Sequence, residues 1–166
     1  SLAVFPAQAA SSAELNRDAN AALNALYQKY PAAKELAGKT KAILVFPSVI
    51  KAGLMIGGET GDGVMMVNGK PVAYYNTSGV SYGMQAGAQK YGYALFIMTD
   101  SARKSLETAE GFEVGVGPSV VVMDDAMAKK TSTTTINKDI YAYIFSQKGV
   151  MAGLGVQGNK LTKLKK

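Results

Sequence analysis

The sequence predicts an α+β fold in which a strongly curved, glycine-rich antiparallel β-sheet or barrel follows a pair of N-terminal helices and contains one short internal helix. Apolar residues recur at helical spacing before residue 31, and from residue 41 they alternate with polar or small residues at a period of two. The chain also contains 18 glycines, more than the usual ~7% of residues. Glycine within a strand indicates a bend or the close approach of another backbone, so this excess favours a curved sheet.

The first helix of the predicted pair begins at a capping box. Ser11 and Glu14 have the Ser-x-x-Glu spacing at which each side chain satisfies a backbone amide of the other. The apolar positions that follow at helical spacing are Leu15, Ala19, Ala22, Leu26 and Tyr30. Pro31 ends this helix and opens a short second one, which ends near Gly38. Because the apolar residues lie on one side, we expect the first helix to pack on a core.

Most of the remaining chain is predicted to form strands. Alternation places them near residues 42–47, 52–59, 63–68, 71–76, 79–89, 92–98, 112–123, 131–136, 140–146 and 150–157. Hairpin turns are predicted at Gly61-Asp-Gly63, Asn68-Gly69 and Lys148-Gly149. Asp100 to Glu110 is predicted as the short internal helix, with Asp100 as its N-cap, and residues 124–130 are predicted as a loop.

The composition indicates one globular domain. The 166 residues are 48% hydrophobic and 18% charged, which is enough apolar material to bury a core and excludes a disordered chain. We expect residues 1–10 to form a flexible leader and residues 11–166 to form the single domain. The leader is apolar and uncharged, and its Ala7-Gln-Ala9 has the A-x-A pattern of an export cleavage site.

The residue types present argue against catalysis. The sequence has no His and no Cys, which excludes thiol nucleophiles, His general bases and Cys/His zinc sites. Glu59, Asp62, Asp124 and Asp125 flank turn-like sequence, where acids are usually turn residues. The G-x-G-x-x-G pattern at residues 153–158 lacks the following helix of a dinucleotide site. We therefore predict a protein that is not an enzyme and that uses no metal or cofactor.

The charge distribution points to an acidic partner. Residues 129–166 carry eight lysines and one acid, although the whole chain has a net charge of only +6. Arginine is scarce, with two against sixteen lysines, which weighs against nucleic-acid recognition. The candidate binding residues are the C-terminal lysines, followed by a second group nearer the N-terminus. They are Lys160, Lys163, Lys165 and Lys166, then Lys34, Lys39, Lys41 and Lys51.

Several motifs occur in an order typical of one known family. They are Lys41-Ala-Ile-Leu-Val-Phe-Pro47, Lys51-Ala-Gly-Leu-Met-Ile-Gly-Gly-Glu59, Gly115-Val-Gly-Pro118, Ile140-Tyr-Ala-Tyr-Ile-Phe145 and Lys148-Gly-Val-Met-Ala-Gly-Leu-Gly155. In these motifs the chain resembles the SYLF lipid-binding domain family, in particular its bacterial branch, whose members are often exported lipoproteins. The resemblance implies binding to membranes, especially to phosphoinositides or other anionic lipids, and no catalytic activity. Some eukaryotic relatives also bind and bundle actin.

These observations lead to one main functional hypothesis and two alternatives. The main hypothesis is non-enzymatic binding of anionic lipids or phosphoinositides at a membrane surface by an exported, lipid-anchored protein of the periplasm or outer membrane. The first alternative is a protein-interaction or structural module of the cell envelope without lipid specificity. The second is a barrel that encloses an apolar small molecule. No nucleic-acid partner is expected under any of the three.

Overall fold

The computed structural model describes residues 11–52, 55–83, 89–108, 110–130, 137–146 and 156–165. These residues form four helices and eight strands, which confirms the predicted α+β class. The helices are α1 (Ser12–Lys29), α2 (Pro31–Ala37), α3 (Asp100–Thr108) and α4 (Asp125–Lys130). The strands are β1 (Ala42–Ala52), β2 (Met55–Val67), β3 (Lys70–Gly83), β4 (Gln89–Ile97), β5 (Phe112–Glu113), β6 (Val120–Met123), β7 (Ile140–Ser146) and β8 (Lys160–Leu164).

All eight strands belong to one sheet, in the order β5-β8-β3-β2-β1-β4-β7-β6. Phe112 of β5 and Val122 of β6 lie at opposite edges yet pack into the same apolar cluster, so the sheet curls into a half-barrel. Among the described residues, no pairing joins these two edges. Every pair of neighbouring strands is antiparallel except β6 and β7, which are parallel. The prediction of a wholly antiparallel sheet is therefore wrong at this edge, because the chain crosses from one edge to the other after β5.

The sheet is buried on both faces. Its outer face packs against α1, α2 and α4, and the apolar residues of α1 that the sequence places on one side, such as Leu15 and Ala19, are buried there. Its concave inner face packs against α3, which contributes Ala102 and Leu106. Successive residues of β1 alternate between the two clusters, and this explains why residues 42–46 form an uninterrupted apolar run.

The structure confirms the predicted start of the first helix and the predicted start and end of the second. The Ser11 hydroxyl accepts a hydrogen bond from the Glu14 backbone N–H at 3.1 Å, and the Ser11 N–H donates to the Glu14 carboxylate at 3.2 Å. Pro31 is the first residue of α2, and Gly38 is its C-cap. The internal helix is also present, but its cap differs from the prediction. The Thr99 hydroxyl accepts from the Ala102 N–H, so Thr99 is the N-cap and Asp100 is the first helical residue.

Glycines within strands, and not at turns, produce the curvature. Gly61 and Gly63, predicted to form a hairpin, lie inside the long strand β2. A Cβ at Gly61 would lie 2.4 Å from the carbonyl oxygen of Ser48, and one at Gly63 would lie 2.5 Å from the Phe46 ring. These contacts fall where β1 bulges between Val45 and Ile50, so small residues are required at this bend.

The other turn predictions have mixed outcomes. Asn68 and Gly69, with φ of 52° and 79°, form the predicted hairpin turn between β2 and β3. The single strand predicted at 112–123 is divided by a turn in which Gly115 and Gly117 have positive φ. The predicted strand at 131–136 and the hairpin at Lys148-Gly149 lie outside the described residues, as does most of the strand at 150–157, whose last residues form a turn.

Two elements were not predicted. Residues 125–130, predicted as part of a loop, form α4, because the Asp124 carboxylate accepts from the Met127 N–H at 2.8 Å and caps the helix. The lysine-rich C-terminal segment contains β8, which pairs with β3 and with β5.

Within the described residues, no helix is both long enough and apolar enough to cross a membrane.

Candidate functional site

The eight candidate lysines do not form one cluster. Lys34 is exposed on α2, Lys39 lies in the turn after it, and Lys41 immediately precedes β1. Lys160, Lys163 and Lys165 lie on or just after β8, which is separated from β1 by β3 and β2, whereas Lys166 lies outside the described residues. The two groups meet only at one end of the sheet.

Lys51 lies apart from the other candidates. It is near the end of β1, where it pairs across the strands with Glu59 of β2. Its Nζ atom lies 5.8 Å from the centre of the Tyr91 ring, within the range of a cation–π contact. The positive charge of Lys51 also acts to lower the pKa of the Glu59 carboxyl. This lysine therefore interacts with the polar interior described below.

Lys160 and Lys163 belong to the same strand but lie on opposite faces of the sheet. Lys163 is the register partner of Tyr75, which is buried in the inner apolar cluster. Lys160 is three residues earlier, so its side chain lies on the outer face, next to its partner Glu113. Of these two lysines, only Lys163 lies towards the end of β8.

One end of the half-barrel gathers lysines from four separate segments. β1, β3 and β7 begin at this end, whereas β2, β4 and β8 finish there, as the pairs Ala42–Ile97, Ile97–Ile140 and Val67–Lys70 show. We call the exposed lysines at this end the basic rim. They are Lys39, Lys41, Lys70, Lys138, Lys163 and Lys165.

Two rim residues, Lys70 and Lys138, were missed by sequence reasoning. Neither lies in a locally basic stretch, and each is brought to the rim only because a strand begins there. The hairpin signal at Asn68-Gly69 could have located Lys70, because the residue after a two-residue turn is the first of its strand. No comparable local signal marks Lys138.

The electrostatic surroundings of the rim leave it positively charged. Among the described residues outside α3, two acids, Glu110 and Asp139, lie on the segments that reach this end. Asp139 accepts hydrogen bonds from the backbone N–H and hydroxyl of Ser119, and these bonds lower the pKa of its carboxyl. The helix α3, which starts at this end, carries two bases and two acids. The rim therefore has a surplus of four positive charges.

The concave interior contains a buried polar network. The Tyr91 hydroxyl donates to the Glu59 carboxylate. The Thr77 and Tyr93 hydroxyls share a hydrogen bond, and the Asn159 side-chain amide donates to Thr77 at 3.3 Å. All five side chains are at least nine-tenths buried. The network thus joins strands β2, β3 and β4 to the turn that leads into β8.

Burial is the main influence on the pKa values of the ionisable groups in this network. Burial raises the pKa of Glu59 above its ordinary value, although the Tyr91 hydrogen bond and the Lys51 charge act in the opposite direction. Burial also raises the pKa of both tyrosines, so their phenols stay protonated at neutral pH and are poor nucleophiles.

The concave side is packed with large side chains, including Phe46 and Tyr75, which disfavours an enclosed apolar ligand.

Comparison with known protein families assigns the chain to a family. A family model described as "Ysc84: Las17-binding protein actin regulator" matches residues 78–166, which is more than half of the chain. The chain belongs to the Ysc84 family. Ysc84 domains are the SYLF domains, so the predicted membership of the SYLF family is confirmed.

Membership of the Ysc84 family indicates that the chain is a binding domain. The family is associated with lipid binding and with actin regulators, and it is not a known enzyme family. The matched region includes Lys138, Lys163 and Lys165 of the basic rim, whereas Lys39, Lys41 and Lys70 precede it. No curated protein matches the chain closely enough to count as a relative.

Proposed function

We propose that this Ysc84 domain binds anionic lipids, including phosphoinositides, at a membrane surface through the basic rim. The observation that carries the proposal is the convergence of six exposed lysines from four chain segments at one end of the half-barrel. The negative surface potential of an anionic bilayer attracts lysine ammonium groups. The Ysc84 family's association with lipid binding supports the same assignment.

The expected affinity is modest and depends on salt. Each lysine near an anionic surface contributes roughly 1 kcal/mol, so a surplus of four charges gives about 4 kcal/mol, or about three decades in the binding constant. Salt weakens this attraction, because charges exposed to solvent are screened over ~8 Å at physiological ionic strength. Stable residence on a membrane therefore requires a second attachment.

Co-sedimentation of the full chain with liposomes tests the proposal. We expect the triple variant Lys41→Glu, Lys70→Glu, Lys138→Glu to lose essentially all of the electrostatic affinity for phosphatidylserine vesicles, about three decades, because the rim's surplus of four positive charges becomes an excess of two negative charges. The matched control is Lys29→Glu, Lys90→Glu, Lys129→Glu, which changes the net charge equally at exposed positions away from the rim. Equal losses in both variants, with native circular dichroism in each, would contradict the assignment to the rim.

A second candidate function is a protein-interaction module of the cell envelope without lipid specificity. The description of the matching family as a Las17-binding protein actin regulator favours it. It predicts that the wild-type chain fails to sediment with either anionic or neutral vesicles at low salt. Chemical cross-linking in native membranes would then capture a protein partner, and the rim triple variant would still capture it.

We also propose that the protein belongs to the bacterial branch of the family and is exported to the periplasm or outer membrane with a lipid anchor. The apolar, uncharged residues 1–10 support export, whereas cleavage at the A-x-A pattern of Ala7-Gln-Ala9 would instead give a periplasmic protein without the anchor. An acyl chain would supply the second attachment, since each buried CH₂ contributes about 0.8 kcal/mol. Mass spectrometry of the protein from native membranes tests this. An unmodified N-terminus near Ala10, recovered in the soluble periplasmic fraction, would overturn the lipoprotein proposal.

A further inference from the structure

The Tyr75 side chain connects strand β3 to helix α3 on the concave side of the sheet. It is buried, and its hydroxyl donates to the Leu106 carbonyl oxygen at 3.1 Å. Lys163 of β8 is the register partner of Tyr75, so the two side chains lie on the same face with their Cβ atoms ~5 Å apart. Lys163, in contrast to Tyr75, is exposed. A rim lysine therefore stands beside the surface that α3 covers, where solvent reaches it.

Arg103 of α3 lies near the same tyrosine. It is three residues before Leu106, and residues three apart are neighbours on a helix surface. Burial and the Glu107 charge raise the pKa of the Tyr75 phenol, and the Arg103 charge acts in the opposite direction. The guanidinium of Arg103 is therefore close to the Tyr75 side chain, and hence on the same side of the sheet as Lys163.

The Arg103 guanidinium is held in place and still has donors to offer. Its Nε atom donates to Glu107 Oε2 at 3.1 Å, and its side chain is 31% exposed. Among the described residues, this is the one hydrogen bond that the guanidinium makes. The N–H groups of its two terminal nitrogens, Nη1 and Nη2, can therefore bind a ligand that comes from solvent.

The charges around this position favour an anion with more than one negative charge. Arg103 and Lys163 supply two positive charges, and Glu107 offsets one of them. Lys104 and Lys165, each next to or two residues from one of this pair, are also exposed. A phosphate monoester carries about −1.5 to −2 charges at neutral pH, whereas a phosphate diester carries a single one. The planar arginine group matches two phosphate oxygens, and a lysine adds a point charge.

We infer that Arg103 and Lys163 form a binding site for a phosphate monoester, in which the arginine bonds two phosphate oxygens and the lysine a third. The inference rests on the proposed lipid binding and adds what selects among anionic headgroups. The monoester can belong to a lipid headgroup, as in phosphatidic acid and phosphorylated inositol lipids, or to a small soluble molecule. The two experiments below separate these sources.

Nitrogen-15 NMR of the full-length protein tests the site itself. The chain has two arginines, so two arginine Nε–H signals are expected, and Arg17→Lys assigns them. We expect glycerol 3-phosphate, a monoester, to shift the Arg103 signal and to leave the Arg17 signal in place. Dimethyl phosphate, a diester, should have little effect on either. Lys163→Gln should weaken the response to the monoester about tenfold. An Arg103 signal that glycerol 3-phosphate does not shift would overturn the inference.

Vesicles matched in surface potential test the lipid source. One set contains phosphatidylcholine with phosphatidylserine, and the other contains phosphatidylcholine with enough phosphatidic acid to give the same zeta potential. We expect the wild-type protein to prefer the phosphatidic acid vesicles about fivefold. Arg103→Lys keeps the charge but loses the planar group, so the preference should fall below about twofold while binding to phosphatidylserine is unchanged. The matched control Arg17→Lys, at an exposed position of α1, should keep the preference.

Failure of the inference and failure of the proposed function give different results. Equal binding of the wild-type protein to both vesicle sets would overturn the inference and leave lipid binding intact, as would an equal loss of preference in Arg103→Lys and Arg17→Lys. Binding to neither set, with the Arg103 response to glycerol 3-phosphate retained, would overturn the proposed function and assign the site to a soluble phosphate monoester.

Discussion

At the scale of single residues, Glu59 couples folding to pH. Its carboxyl is buried in the concave interior, and burial raises its pKa in the folded protein above the ordinary value of 4.5. The native state therefore holds the Glu59 proton more tightly than the unfolded chain does. The resulting stabilisation is fully present below the ordinary pKa and is lost as the pH rises through the folded pKa.

Glu59→Gln should remove this pH dependence, because the amide occupies a similar volume without becoming ionised. We expect the free energy of unfolding of the variant, relative to wild type, to increase as the pH is raised above ~4.5. Urea unfolding at a series of pH values measures it. Tyr91→Phe serves as a comparison, since loss of its hydrogen bond should raise the Glu59 pKa further. Parallel pH curves for Glu59→Gln and wild type would contradict this account.

Gly79 shows how closely the chain packs around the polar network. A Cβ at this position would lie 2.1 Å from the Asn159 side-chain oxygen, and Asn159 is buried. We expect Gly79→Ala to lower the free energy of unfolding by about 1–3 kcal/mol, because the amide must move away from Thr77. Gly111→Ala is the matched control, since no heavy atom of the described residues beyond its two chain neighbours lies within 4 Å of the added Cβ. Urea unfolding compares them, and equal stability of the two variants would contradict the packing argument.

At the scale of elements, local signals predicted the helices better than the strands. The capping box at Ser11 and the proline at residue 31 determine α1 and α2 through contacts within a few residues. Gly61 and Gly63 led to a wrong prediction of a turn within β2, because glycine occurs both in turns and where another part of the chain approaches closely. Only the contact with Phe46 in the folded structure shows that the second explanation applies. The helix α4 was missed since it is short and depends partly on a contact between Asp125 and the distant Tyr30.

The strand β8 is an integral part of the sheet. Leu161 is buried in the inner cluster and pairs with Thr77 and Phe112, and Asn159 joins the polar network. We expect a chain truncated after Gly158 to lose several kcal/mol of stability, because a buried leucine and a buried amide are removed. A chain truncated after Leu164 should melt within a few degrees of wild type. Thermal unfolding of both decides this, and equal melting temperatures would contradict it.

At the scale of the whole molecule, the candidate site could be predicted only in part. The excess of lysine in the C-terminal third indicated an acidic partner, and four of the eight candidate lysines, Lys39, Lys41, Lys163 and Lys165, lie on the rim. The strand order then adds Lys70 and Lys138 and separates Lys51 and Lys160 from them. Neighbouring positions across a sheet depend on long-range register, which composition and local periodicity do not encode.

In the proposed membrane-bound arrangement, the direction of the strands determines how far the domain projects from the bilayer. With the rim against the headgroups, β1 and β3 lead away from the membrane, and β3 is 14 residues long. At ~3.3 Å per residue, the far end of the curled sheet stands about 40 Å above the lipid. That end lies several Debye lengths from the charged headgroups, so the membrane field is almost fully screened there. A molecule that binds the far end would therefore do so at the ion concentrations of the bulk solution. The rim, in contrast, would lie in the layer of counter-ions next to the headgroups.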